Sequence, residues 1–242
     1  MAFRSVSAVV GGNSGTPITP ASPPGVREYD HVLLFVAIDT GAGSVITIPP
    51  EFKLIAIATQ VTPDGQTGLI AWKIASAAEP ATYSVNSSGG DPTAFSMAFS
   101  GRSSRNQPTW SVLLNTSGNA SPVSVGATGI TALAGDDLVW AAFMDQSAAS
   151  IGTSFAPPAG YTERVDSVNQ GTTAFNSQSA ATLDNASAGA TGTVTGTFTM
   201  SSGTAGFGVF LLRLPANELQ GPDTELTTTS KRRANIQQRM AA

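Results

Sequence analysis

The chain has no cysteine and a single histidine. The first absence excludes a disulfide framework, a thiolate metal site and a cysteine nucleophile, and it leaves the redox compartment open. Charge is scarce as well. Twelve Lys and Arg stand against 16 Asp and Glu in 242 residues, for a net charge of −4, a balance that argues against a general nucleic-acid binder. No stretch approaches the roughly 20 apolar residues of a spanning helix, so no membrane insertion is expected. The N-terminus "MAFRSVSAVVGG" offers only the weakly apolar run Val6–Val10. That is too short for a secretory signal, so a mature N-terminal strand or arm is expected, on a soluble protein made in the cytoplasm. Before residue 215 no amphipathic helix can be drawn.

What is present is small residues and strand patterns. Residues 11–26, "GGNSGTPITPASPPGV", are too rich in Pro and Gly for helix and are expected to be extended. "YDHVLLFVAID" (Tyr29–Asp39) is a continuous apolar run, which predicts a strand buried on both faces. "FKLIAIATQ" and "GLIAWKIAS" follow, separated by "TPDG" at Thr62–Gly65, a turn sequence. In the latter strand Ile70, Trp72 and Ile74 share a face. In "TAFSMAFSG" Phe95, Met97 and Phe99 alternate with Ala and Ser, which predicts a half-buried strand. Later, Leu138, Trp140, Ala142 and Met144 line one face of "GDDLVWAAFMDQ". In "TGTVTGTFTM" Val194, Gly196, Phe198 and Met200 are expected inward and the threonines outward. Between them lies the very polar "GTTAFNSQSAATL" (Gly171–Leu183). Roughly ten to twelve strands at this spacing predict an all-β protein, a two-sheet antiparallel β-sandwich of jelly-roll-like form.

One pattern occurs twice. Asp30 opens a long apolar strand that leads to Pro49-Pro50-Glu51-Phe52, and Asp136 opens another that leads to Pro157-Pro158-Ala159-Gly160-Tyr161. Two pseudo-equivalent halves completing one sandwich are therefore expected. The organisation is an N-terminal strand or arm (1–26), the sandwich (27–215) and a C-terminal tail (216–242) with room for a short helix. The tail carries Lys231, Arg232, Arg233 and Arg239 beside Ile236 and Met240, with no acid after Glu225. These six residues are the candidate partner-docking segment.

Catalytic signatures are missing. His31 stands at a strand start with no GxSxG motif to supply a serine partner. No HExxH, Walker or dinucleotide-binding motif occurs in the right context. Asp136 and Asp137 could bind a hard cation, but neighbours on a strand point to opposite faces. The remaining acids are spread singly at turns, unlike a glycosidase pair. No enzymatic activity, cofactor or metal is expected. For sugar recognition the candidates are exposed aromatics with amides nearby. Trp110 and Tyr161 are the candidate glycan contacts, with Tyr83 a third aromatic and Asn169 and Gln170 beyond the strand that Tyr161 begins.

The stretches "YDHVLLFVAI", "IPPEF", "LIAWKIASAAEPATYSV", "GDDLVWAAF", "APPAGYTERV" and "FGVFLLRLP" together resemble β-sandwich modules of jelly-roll type encoded among bacteriophage virion genes. The run Lys73-Ile74-Ala75, Glu79-Pro80, Tyr83 carries most of that likeness, and Glu51 stands where the family has glycine. The resemblance covers roughly residues 21–215. It implies a non-enzymatic virion protein, such as a capsid decoration, a head or neck fibre, or a tail appendage, that assembles through its terminal arms. The partners implied are other virion proteins and further copies of this chain, with a trimer the first closed form to expect. A carbohydrate-binding module or adhesin for a host-surface glycan is the alternative. Nucleic acid is not an expected partner.

Overall fold

A computed structural model describes residues 3–13, 15–39, 45–60, 65–101, 107–117, 122–146, 152–170, 176–200 and 205–216. Among these there is no helix, and so none long and apolar enough to cross a membrane. The first half contains β1 (Phe3–Val6), β2 (Val10–Gly11), β3 (His31–Asp39), β4 (Ile46–Thr47), β5 (Lys53–Gln60), β6 (Gln66–Ile74), β7 (Asn86–Ser87) and β8 (Asp91–Phe99). The second contains β9 (Thr109–Ser117), β10 (Val123–Ala127), β11 (Thr131–Ala132), β12 (Asp137–Gln146), β13 (Gly152–Ala156), β14 (Thr162–Gln170), β15 (Asn176–Leu183), β16 (Gly189–Ala190), β17 (Val194–Met200) and β18 (Ala205–Leu214).

The expected all-β antiparallel sandwich forms the centre of the molecule. One sheet runs β1-β8-β3-β6-β5, with β2 also paired to β8, and the facing sheet runs β14-β15-β12-β18-β9. Read from the other end, the second sheet has the same order in terms of chain position: first, last, second, fourth, third. Each sheet thus belongs to one half of the chain. Within each half the remaining strands form a second layer over this sheet, β4-β7 in the first and β10-β17-β13 in the second, the jelly-roll-like arrangement expected. The two halves are the same fold twice, and the repeated Pro-Pro turn marks equivalent corners.

The equivalence extends to single hydrogen bonds. Ala75 N donates to Asp30 O at 2.8 Å, as Ala186 N does to Asp136 O at 2.7 Å. Phe52 N donates to Pro49 O, and Tyr161 N to Pro158 O, both at 3.0 Å. Arg27 N reaches Asp30 Oδ2 at 2.8 Å, and Leu133 N reaches Asp136 Oδ2 at 2.6 Å. Even the irregularity recurs, between Leu54 and Ala56 in β5 and between Glu163 and Val165 in β14.

Each half also carries its own second layer, so the centre is covered on both outer faces. In the second half β10-β17-β13 forms a three-stranded sheet over Trp140, Met144, Val209 and Leu211. In the first half β4-β7 and the bridges Ile18–Val85 and Ala21–Thr82 do the same over Leu34, Val36, Ile38 and Leu69. A third apolar cluster, with Phe35, Phe95, Trp72, Phe143 and Phe210, lies between the two central sheets. Apolar layers on both faces are why β3 reads as a continuous run and not as an alternation, and they bury Val139, Ala141 and Phe143 of β12 as well as the one face expected of it.

Two strands depart from their sequence patterns. β8 is buried along its whole length and is not half-buried. The outer side of its alternation is covered by the N-terminal segment: Ser7 N donates to Ser96 O at 2.9 Å, and Ser96 Oγ to Ala21 O at 2.7 Å. That segment is broken by turns at 15–16 and 24–25, and it lies docked on its own chain. β15, polar in sequence, is buried because its side chains reach across the interface between halves. Asn176 Nδ2 donates to Asp91 O at 2.7 Å and its Oδ1 accepts from Gln66 Nε2 at 2.9 Å, while Gln178 Nε2 donates to Thr93 O at 3.0 Å. In β17 Val194, Gly196 and Phe198 face inward as expected, whereas the side chain of Met200 lies outside the described residues.

Candidate functional site

The central sheets pack so that the edge strand β5 lies against the edge strand β9, and on the opposite side Arg164 of β14 covers the ring of Phe3 in β1 at 3.9 Å. These two sides are equivalent by the internal repeat, since β5 corresponds to β14 and β9 to β1. Their chemistry is opposite. Paired against the same register positions, Leu54 corresponds to Glu163 and Ile57 to Asp166. Charged side chains on an edge strand, carboxylates among them, guard against strand-to-strand association. The first half has no carboxylate there and only Lys53 as a charge on β5: Leu54 is 47% exposed and Ile57 51%, and on adjoining β9 Trp110 is 42% and Leu113 38% exposed. Four large apolar side chains on two edges with Lys53 as the one charge among their described residues make this side unlike an ordinary solvated surface.

Burial pushes the Asp166 carboxyl up, with Phe155 N donating against that trend, and burial and the neighbouring Asp166 push Glu163 up. Arg164 is held by Thr182 Oγ1 at 2.9 Å and by Asp184 at 3.5 Å.

The second feature is a cleft of about 620 Å³ at the corner of the second half, where Tyr161, Leu183, Asn185, Ser187, Thr193, Val194 and Thr195 meet. None of its lining residues is charged. The Tyr161 hydroxyl is buried without a hydrogen-bond partner among the described residues, and burial pushes its pKa up to about 12. Trp110 and Tyr161, the two candidate glycan contacts, thus do not form one platform. Trp110 is on one edge of its sheet and Tyr161 adjoins the strand at the other.

The corresponding corner of the first half is closed by the residues that carry the family likeness. Lys73 Nζ lies 2.6 Å from Glu79 Oε1 and 5.3 Å from the ring centres of both Phe52 and Tyr83. Tyr83 is fully buried, donates to Glu79 at 2.7 Å and pairs with Ser22 Oγ at 3.0 Å, so it is core and not a surface contact. Burial pushes Tyr83 up steeply and pushes Glu79 up as well. For Glu79, however, hydrogen bonds from Lys73, Ser76 N and Tyr83 and the lysine charge outweigh burial, and its pKa lies below the usual carboxylate value. A depressed acid stabilises the fold above its unfolded pKa, and that contribution is lost as pH falls through the folded value. Glu79→Gln is therefore expected to be less stable than wild type at pH 7 and to lose less of its remaining stability on acidification below about pH 4.5. Urea midpoints at pH 7 and pH 3 check it, and equal acid losses in both proteins would refute the assignment.

The other sequence candidates resolve as follows. His31 is fully buried, its ring 5.2 Å from that of Trp72. Asp136 and Asp137 are both buried but face different partners. Asp136 accepts from Leu133 N, Ala216 N and Arg213, and Asp137 from Asn185 N. No group of three metal-binding side chains occurs among the described residues. Lys231, Arg232, Arg233, Ile236, Arg239 and Met240 lie outside the described residues, as do Thr62–Asp64 and the side chains of Asn169 and Gln170. Sequence reasoning missed Leu54 and Ile57, whose exposure only the strand order reveals.

No family model matches the chain, and no curated protein matches it. Among solved structures, a chain from the structure of infectious bursal disease virus Gx strain aligns over 100% of this chain and 90% of its own length. The identity is 8% and the TM-score 0.15, a likeness that carries no argument.

Proposed function

We propose that this protein is a non-enzymatic structural subunit of a bacteriophage particle that docks onto further copies of itself or onto other virion proteins by its β5–β9 edge. One observation carries the assembly part of this reading. The same fold occurs twice in the chain, and only one copy replaces the edge carboxylates with Leu54 and Ile57. The virion setting rests on the motif resemblance. Residues 217–242, with their basic cluster, serve in this reading as a second attachment segment, since the N-terminal segment is docked on its own chain.

The test is the solution mass by light scattering of the wild type and of the double variant Leu54→Glu/Ile57→Asp, which gives the first edge the side chains of the second. Wild type is expected as an oligomer, with a trimer the first form to look for, and the variant as a monomer that keeps the β-sheet circular dichroism of the wild type. Monomers in both, or an oligomer indifferent to the substitutions, would refute assembly by this edge.

A second reading, glycan recognition, is favoured by the cleft beside Tyr161. Trp110 belongs to the assembly edge in this scheme and not to a sugar platform.

A further inference from the structure

We infer that the cleft beside Tyr161 binds a neutral, polyhydroxylated ring, in chemical class an uncharged saccharide unit. This deepens the second reading above and stands apart from the assembly edge. The internal repeat supplies the control. By register and turn hydrogen bonding, Tyr161 corresponds to Phe52, Leu183 to Lys73 and Val194 to Tyr83. In the first half the Tyr83 ring packs edge-on against Phe52 at 4.9 Å, and the Lys73–Glu79 pair seals the corner. A cleft of about 580 Å³ does lie nearby, but Arg27, Glu28 and Glu79 line it and Phe52, Lys73 and Tyr83 do not.

In the second half the filler is gone. Valine stands for tyrosine and leucine for lysine, and about 620 Å³ is open, within the range of about 300–1,000 Å³ of small-molecule sites. What lines it sorts ligands by chemistry. Leu138, Leu183 and Val194 with the Tyr161 ring offer apolar walls for the C–H faces of a ring. The exposed Asn185, Ser187, Thr193 and Thr195 offer donors and acceptors for its hydroxyls. An ionic ligand would find no counter-charge in the lining, which makes its desolvation costly. The Tyr161 hydroxyl itself has no exposed surface, so a ligand meets the ring and not the oxygen.

The experiment is saturation-transfer NMR on the full chain with methyl α-D-glucopyranoside, methyl β-D-galactopyranoside and methyl N-acetyl-β-D-glucosaminide, with N-acetylneuraminic acid as the charged control. At least one neutral glycoside is expected to give saturable transfer, and the acid none. Val194→Tyr, which rebuilds the first half's filler, should abolish it. Thr193→Val with Thr195→Val should weaken it about tenfold, and this variant covers the case in which Val194→Tyr fails to fold. The Leu54→Glu/Ile57→Asp protein should bind as wild type does, so the two sites fail or hold separately. Absence of saturable transfer from every neutral glycoside, preference for the acid, or full binding by either cleft variant would overturn the site.

Discussion

Gly68→Ala is expected to destabilise the fold by about 3 kcal/mol or more, at the upper end of overpacking costs. Gly68 of β6 sits directly beneath the ring of Phe143 in the opposite sheet, and a Cβ built there would meet Cε1 at 2.2 Å. On the other flank of the same ring, Gly208 of β18 would place its Cβ 2.1 Å from Cζ. Phe143 is buried in the layer between the halves, 5.3 Å from the ring of Phe210, so it has little room to retreat. Alanine in a strand ordinarily gains about 0.5–1 kcal/mol over glycine, and here the clash must overwhelm that gain. Thermal unfolding by circular dichroism reads the loss. A shift of about 2–4 °C per kcal/mol is expected for a chain of this size. The diagnostic is the double variant with Phe143→Ala: each single change should be costly, and together they should cost much less than their sum. Additive losses would show that the ring is not what the glycine accommodates.

Asp136→Ala is expected to cost a further class of energy, about 3–5 kcal/mol, by stranding charge in the interior. Asp136 is buried and surrounded only by donors. Its Oδ2 accepts from Leu133 N at 2.6 Å and from Arg213 Nε, and its Oδ1 from Ala216 N at 2.9 Å. Asparagine has the same shape but must turn its NH₂ toward one of these N–H groups, since an amide offers a single acceptor oxygen. Asp136→Asn should therefore fall close to Asp136→Ala and not midway to wild type. Adding Arg213→Met to Asp136→Ala should recover part of the loss by removing the orphaned cation. Denaturant midpoints measure all three, and wild-type stability in the asparagine variant would sink this account. The first half solves the same problem with Arg4, whose Nε lies 2.5 Å from Asp30 Oδ2 and whose Nη2 donates to Oδ1 at 3.0 Å. The acid is equivalent in the two halves while the arginine comes from a different strand.

The repeat itself was legible, because Asp30 and Asp136, and the two Pro-Pro corners, are set by local turn chemistry that sequence displays directly. The double-sided burial of β3 was legible as an unbroken apolar run, whereas β12 reads as a strand with one apolar face. The polar β15 and the small-residue face of β8 were not legible. Asn176, Gln178 and Ser96 are buried because distant segments bring Asp91, Gln66, Thr93 and Ala21 to meet them. Nothing near them in sequence announces those partners. The edge was illegible in a different way. "FKLIAIATQ" has the composition of an interior strand, and only its place at the end of the order β1-β8-β3-β6-β5 leaves Leu54 and Ile57 in solvent. Tyr161 could be singled out as an aromatic at a corner, but the cleft beside it depends on Val194, which is informative only when set against Tyr83.

A symmetric pair of separate chains would be bound to write every substitution twice. An acidic guard on one flank would reappear on the other, and so would an adhesive one. Joining the two halves into one polypeptide removes that obligation. The shared scaffold can keep its matched corners while the flanks drift apart, one acidic and one apolar, one corner sealed and one hollow. The molecule thereby acquires a polarity that its architecture lacks, a distinguishable left and right.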